Sequence, residues 1–173
     1  IEDRESGFLQ GVLVAPVSRA TFVLGKVAAG TTLALVNAVA LLVVAAIAGV
    51  PVVLTSLPAA LAVLTLMGAG LTGLGLVIAW PLASTQGFHA IMNLLLVPMW
   101  LLSGAVFPAA GAAGWVQAVM AVNPLTSGLT LLRAALAGHP FDAGLAPALA
   151  VLAVFPVVML VVSTVLVTVP RRE

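Results

Sequence analysis

The sequence predicts an all-α polytopic membrane protein, with four transmembrane helices, an N-terminal amphipathic helix and a re-entrant helical hairpin on the outer side. Three observations lead there. Hydrophobic residues make up 63% of the chain and charged residues 6%, against roughly 45–50% and 25% in a soluble domain. Six basic and five acidic side chains cannot clothe a water-soluble particle of 173 residues, so long apolar stretches must face lipid. The charges also sit at the ends: between Lys26 and Arg171 only Arg133 and Asp142 are charged. Finally, apolar runs of span length are separated by proline, glycine and polar clusters. A net charge of +1 with no basic stripe and interleaved aromatics excludes a nucleic-acid partner. The absence of cysteine removes disulfides, thiolate metal sites and cysteine nucleophiles.

Residues 2–19 come first, and 2–14 read as an amphipathic helix. At 100° per residue Phe8, Leu9, Val12 and Leu13 fall on one arc, and Asp3, Gly7, Gln10 and Gly11 on the opposite one. Glu2, Asp3 and Glu5 suit the positive end of the helix dipole, and Pro16 ends or bends the helix. Glu5 projects toward the apolar arc, where a carboxylate needs a partner; Arg19 and Lys26 are the candidates. Docking onto another protein and simple surface solvation are the two readings of this segment.

Four apolar runs follow, at residues 27–49, 57–80, 88–107 and 145–169. Each is near the ~20 residues that a helix needs to cross the hydrocarbon core. They are apolar on all faces, which argues against barrel strands. Arg4, Arg19 and Lys26 precede the first span, and Arg171 and Arg172 follow the last. The positive-inside rule therefore puts both ends in the cytoplasm, and an even count of spans agrees.

The segment 108–144 is too broken for an ordinary span. Two short apolar stretches, 114–122 and 125–137, flank Asn123-Pro124. Proline lacks an N–H and disfavours helix at the residue before it. Two short helices with a turn at Asn123 is the simplest reading, either as a re-entrant hairpin or as an interfacial loop. Arg133 is a charge in a region otherwise nearly bare of charge, which marks it as a functional candidate. Asp142 reads as a solvated loop charge, with an ion pair to Arg133 as the alternative. His89 and His139 are fifty residues apart and assigned to opposite sides, a poor metal site. Asn37, Asn93 and Gln117 are polar groups in or near spans, suited to interhelical hydrogen bonds and, less readily, to a substrate path. Gly68, Gly70, Gly73 and Gly75 crowd the second span, where small residues permit close helix packing.

Three motifs then add a resemblance. Asp3-Arg4-Glu5-Ser6-Gly7, Leu13, Pro16-Val17-Ser18-Arg19 and Leu24-Gly25-Lys26 form the first. Leu102-Ser103-Gly104-Ala105-Val106-Phe107-Pro108 is the second. Asn123-Pro124-Leu125-Thr126 followed by Arg133 is the third. In order and spacing the set resembles the permease subunits of type-2 ABC exporters across nearly the whole chain. The resemblance implies six spans in the family, of which this chain would carry the third to sixth, the first two being missing. It implies a second permease subunit, identical or different, and cytoplasmic ABC ATPase subunits that bind ATP and Mg. No cofactor is expected on this chain, and it is not expected to be an enzyme. No Gly-x-x-x-x-Gly-Lys-Ser/Thr phosphate loop occurs in it. The implied ATPase-coupling residues are Glu5, Gly7, Phe8, Pro16, Arg19 and Lys26. The implied outer gate is Ser103, Gly104, Phe107, Pro108, Asn123, Pro124 and Arg133. The expected setting is the cytoplasmic (inner) membrane among lipids, and the expected activity is export of a hydrophobic drug, lipid or glycan-type substrate. The rival is an ATP-independent channel or secondary transporter, the latter disfavoured by the lack of mid-span coupling carboxylates. Intramembrane protease chemistry is disfavoured because no His-Glu-x-x-His occurs and both Asp3 and Asp142 fall outside the spans.

Overall fold

A computed structural model describes residues 18–50, 53–139 and 141–168. Among them there are six α-helices and no strand: α1 Arg19–Ile47, α2 Leu57–Ala79, α3 Thr85–Leu101, α4 Gly114–Val122, α5 Pro124–Leu136 and α6 Ala146–Thr168. The starts are encoded locally. Ser18 caps α1 by accepting from the Thr21 amide, and Ser84 caps α3 by accepting from the Gly87 amide. Pro58 sits in the first turn of α2, where its missing N–H costs nothing. Asp142 accepts from the Gly144 and Leu145 amides and so starts the short 3-10 turn leading into α6. Its carboxylate is turned onto that backbone, and Arg133 points elsewhere.

Arg19–Ile47, Leu54–Ala79 and Ala143–Thr168 are each long and apolar enough to cross a membrane. The third expected span differs from its sequence boundaries. Its helix begins at Thr85 and stops at Leu101, six residues short of Phe107. Seventeen residues make about 25 Å of helix, less than the ~30 Å of a hydrocarbon core. The reason is local: the Ser103 amide turns back to the Trp100 carbonyl, and Gly104 takes φ +82°, a conformation that favours glycine. The first span starts eight residues earlier than expected, at Arg19, because Ser18 supplies the cap.

Two buried clusters locate the helix ends. Val23, Val27 and Val167 pack with Phe22, Leu76, Trp80 and Leu160, joining the start of α1, the end of α2 and the end of α6. This is the basic end, carrying Arg19 and Lys26. Val63, Leu131 and Leu152 pack with Leu66, Met67, Leu145 and Leu149, joining α2, α5 and the start of α6 toward the far end. α2 is the hub, in contact with α1, α3, α5 and α6. Its glycines are divided among neighbours. Gly68 lies against Thr31 and Ala34 of α1, Gly70 against the Phe155 ring and Gly73 against Met159 of α6. A Cβ on Gly75 would meet open space.

The segment 108–144 contains the two short helices that its sequence predicts, bent by 77° at Asn123. α5 runs antiparallel to α2. Gly128 abuts Met67, near the middle of α2; Leu131 meets Val63; and the Leu136 carbonyl accepts from the Val53 amide just before α2. The Asn123 end of α5 is therefore its inner end, level with the middle of the bundle or beyond.

Candidate functional site

The motif residues of α3 and α5 converge. Asn123 is the N-cap of α5, and its Oδ1 accepts from the Leu125 amide at 3.0 Å. Pro124 occupies the first helical position, where φ is already right for a helix. The same Asn123 side chain donates through Nδ2 to the Met99 carbonyl of α3 at 2.7 Å. That carbonyl is short of a helical partner, because the Ser103 amide four residues on bonds Trp100 instead. Thr126 Oγ1 donates to the Leu102 carbonyl at 3.0 Å, and Arg133 Nη1 reaches the Gly104 carbonyl at a long 3.4 Å. Going outward along α5, donors 123, 126 and 133 thus meet acceptors 99, 102 and 104 in the same order. α3 and α5 run parallel, and α5 supplies the partners that the end of α3 lacks.

The junction is buried where it is most polar. Asn123, Ser103 and Ser127 are 6%, 4% and 4% exposed. Ser103 Oγ donates to the Trp100 carbonyl at 2.6 Å and accepts from the Ala105 amide at 3.3 Å. Gly104 backs onto Met120 of α4, itself buried. In a surrounding without water each of these bonds replaces an expensive bare polar group, so the junction specifies one placement of α3 against the α4–α5 pair. This matters because α3 has no buried residue of its own. It touches α2 lightly, and its outer end is held by α5.

Of the expected outer-gate residues, Ser103, Gly104, Asn123, Pro124 and Arg133 are brought together here. Phe107 is 61% exposed and Pro108 is exposed as well, and both lie outside the junction. Thr126 belongs to it too, a member of the third motif but not of the implied gate set, and so do Met99 and Met120, which the sequence does not single out. Thr126 was accessible through its place one turn after the Asn-Pro pair, but the other two contribute a carbonyl and an apolar contact that no residue type announces.

At the basic end, Arg19 Nη1 donates to the Val167 carbonyl in the last turn of α6. A cation there meets both an orphan carbonyl and the negative end of the helix dipole. The contact clasps the first and last described helices together. Lys26 Nζ stands 6.0 Å from the centre of the Phe22 ring. Glu5, Gly7, Phe8 and Pro16 lie outside the described residues. Asn37 bonds the Leu33 carbonyl of its own helix, and Gln117 bonds the Ala112 carbonyl at 2.9 Å. His89 stands edge-on to Phe88 with ring centroids 5.5 Å apart.

Comparison with known proteins decides the family. The model of the ABC-2 type transporter matches residues 1–137. The chain belongs to the ABC-2 type transporter family. The match covers the Arg19 end, the α3 terminus and the whole of α5. Nodulation protein J of Rhizobium leguminosarum bv. viciae is 31% identical over 157 residues, which are 91% of this chain and 60% of that protein. The chain thus spans about three fifths of the length of the curated relative it matches. No solved structure matches it. It is a multi-pass membrane domain of that family.

Proposed function

We propose that this chain is part of the permease of an ATP-driven exporter, with ATP and Mg bound on a cytoplasmic ABC ATPase and a second permease subunit completing the path. The family match over residues 1–137 carries the reading. Supporting it, the two ends of the bundle are built as two different devices. At the basic end, taken as cytoplasmic from Arg4, Arg19, Lys26, Arg171 and Arg172, residues 2–14 dock on the ATPase and Arg19 ties the entry of α1 to the exit of α6. At the far end, α4 and α5 form a re-entrant gate whose polar tip holds α3. Nucleotide closure displaces the docking segment, the bundle shifts as a two-state body, and the α3–α5 junction sets which state is closed outside. The cargo is a drug-like, lipid or glycan-type molecule.

The test is purification of the full-length protein from membranes in mild detergent. A phosphate-loop ATPase should accompany it and should be lost on deletion of residues 5–19. Purification alone, with transport in liposomes that needs no ATP, would replace this reading with a channel or secondary carrier.

A further inference from the structure

The outward flank of α3 carries a row of polar side chains that the fold leaves unused. Gln86, His89 and Asn93 are all exposed. At 100° per residue they fall within an arc of about 60°. The packed side of α3, marked by the half-buried Phe88, Met92 and Met99, lies about 100° around the helix from that arc. Among the described residues neither Gln86 nor Asn93 makes a side-chain hydrogen bond, and the contact recorded for His89 is with its neighbour Phe88. Most other polar side chains of the long helices behave differently, Thr72 of α2, packed against Gly30, being an exception. Thr31, Thr32, Asn37, Thr65, Ser163 and Thr164 each bond a carbonyl of their own helix, and so can face lipid at little cost.

Depth makes this informative. Gln86 is at the start of α3, but Asn93 is eight residues further on, about 12 Å along the axis. A carboxamide there has two donors and an acceptor oxygen, and lipid tails can satisfy none of them. Gln86 lies one residue into α3 at the basic end, where Ser84 and Thr85 are exposed, so water can reach the row from there. Above Asn93 the same flank turns apolar, at Leu96, Val97 and Trp100, just short of the junction with α5. None of the residues in the row bears a fixed charge.

We propose that Gln86, His89 and Asn93 form an aqueous lane, open at the basic end and closed above by Leu96 and Trp100, that receives an uncharged hydroxyl-bearing group of the cargo. The assignment rests on the permease reading and narrows its cargo. Neutral donors and acceptors without a fixed countercharge match sugar or alcohol hydroxyls better than a phosphate or an ammonium.

The chain has no cysteine, so single-cysteine variants of the full-length protein report one position, with any upstream cysteine replaced. Gln86→Cys, Asn93→Cys and the control Leu94→Cys, whose native side chain is 77% exposed on another face of α3, are exposed to a charged, membrane-impermeant thiol reagent in inside-out vesicles. Asn93→Cys is expected to react at a rate close to Gln86→Cys and about tenfold or more faster than Leu94→Cys, since a lipid-facing thiol meets little water. Equal rates at 93 and 94 would make the flank lipid-facing, and spontaneous disulfide dimers of Asn93→Cys would make it a subunit contact; either overturns the lane. The cargo class is tested with octyl glucoside and octyl sulfate, both below micelle formation. The glucoside should slow labelling at 93 and the sulfate should not; equal protection by both overturns the hydroxyl assignment. These readouts need neither ATP nor the ATPase, so the lane can fail while co-purification of the ATPase stands, and the reverse.

Discussion

Asn123 holds the structure at two points with one side chain, and the two can be separated. In Asn123→Ala the Leu125 amide loses its cap, a loss of about 1 kcal/mol. The Met99 carbonyl loses its donor as well, and a polar group left bare in an apolar setting costs about 1–3 kcal/mol. Donors in membrane proteins recover part of such losses from other partners, so the interhelical bond is set at about 1 kcal/mol. The sum is about 2 kcal/mol. Asn123→Ser keeps a capping oxygen but is too short to span to Met99, and should cost about 1 kcal/mol. Equilibrium unfolding in an SDS titration reads both values. Hydrogen exchange reads where the loss falls: both variants should lose protection at the Leu102 and Ser103 amides, which close the end of α3 on the Pro98 and Trp100 carbonyls, by about tenfold or more, since each tenfold is about 1.4 kcal/mol. The Ala variant alone should also lose it at Leu125. If both variants unfold within about 0.5 kcal/mol of the parent, or if α3 keeps its protection, Asn123 does not hold α3 and the junction is only a crossing of helices.

Other outcomes follow from the same geometry. Gly70→Ala places a methyl into the Phe155 ring and should destabilise by about 1–3 kcal/mol, whereas Gly75→Ala, facing open space, should be neutral or stabilising by up to about 1 kcal/mol through helix propensity; the pair is compared in the same SDS titration, and equal effects would contradict the packing of α2 on α6. Asp142→Ala removes the acceptor for two amides at the entry to α6 and should cost about 1 kcal/mol, read as faster exchange at Gly144 and Leu145. Glu5→Ala should lower transport per ATP hydrolysed at unchanged membrane abundance, and undiminished transport would count against docking by residues 2–14. Cysteines placed singly at 118–130 in a full-length cysteine-free background should resist aqueous labelling from the outer side around Asn123, and free labelling there would place the α4–α5 tip outside the membrane.

The break at Asn123 and the end of α3 differ in how much their sequence reveals. The membrane class, the absence of strands among the described residues and the long helices were legible because lipid imposes a one-dimensional rule: residue after residue must be apolar over a fixed length. The break at Asn123 was legible for an equally local reason, since an N-cap asparagine followed by proline both stops one helix and starts another. The end of α3 was not. Leu102 to Phe107 is apolar enough to continue a span, and it stops because Ser103 turns its amide to Trp100 and Gly104 turns left-handed, a choice stabilised by donors 24 and 29 residues away on α5.

Composition, periodicity and proline placement thus determined that this protein crosses a membrane as helices and where most of them begin, and the resemblance of three motifs pointed to its family. The tertiary structure decided which of those motifs touch. It set Ser103 and Gly104 against Asn123, Thr126 and Arg133, left Phe107 and Pro108 outside, and turned Arg19 onto α6. The physical reason is that the acceptors in these contacts are backbone carbonyls. Every residue has one, so no side-chain pattern marks the few that folding leaves in need of a donor.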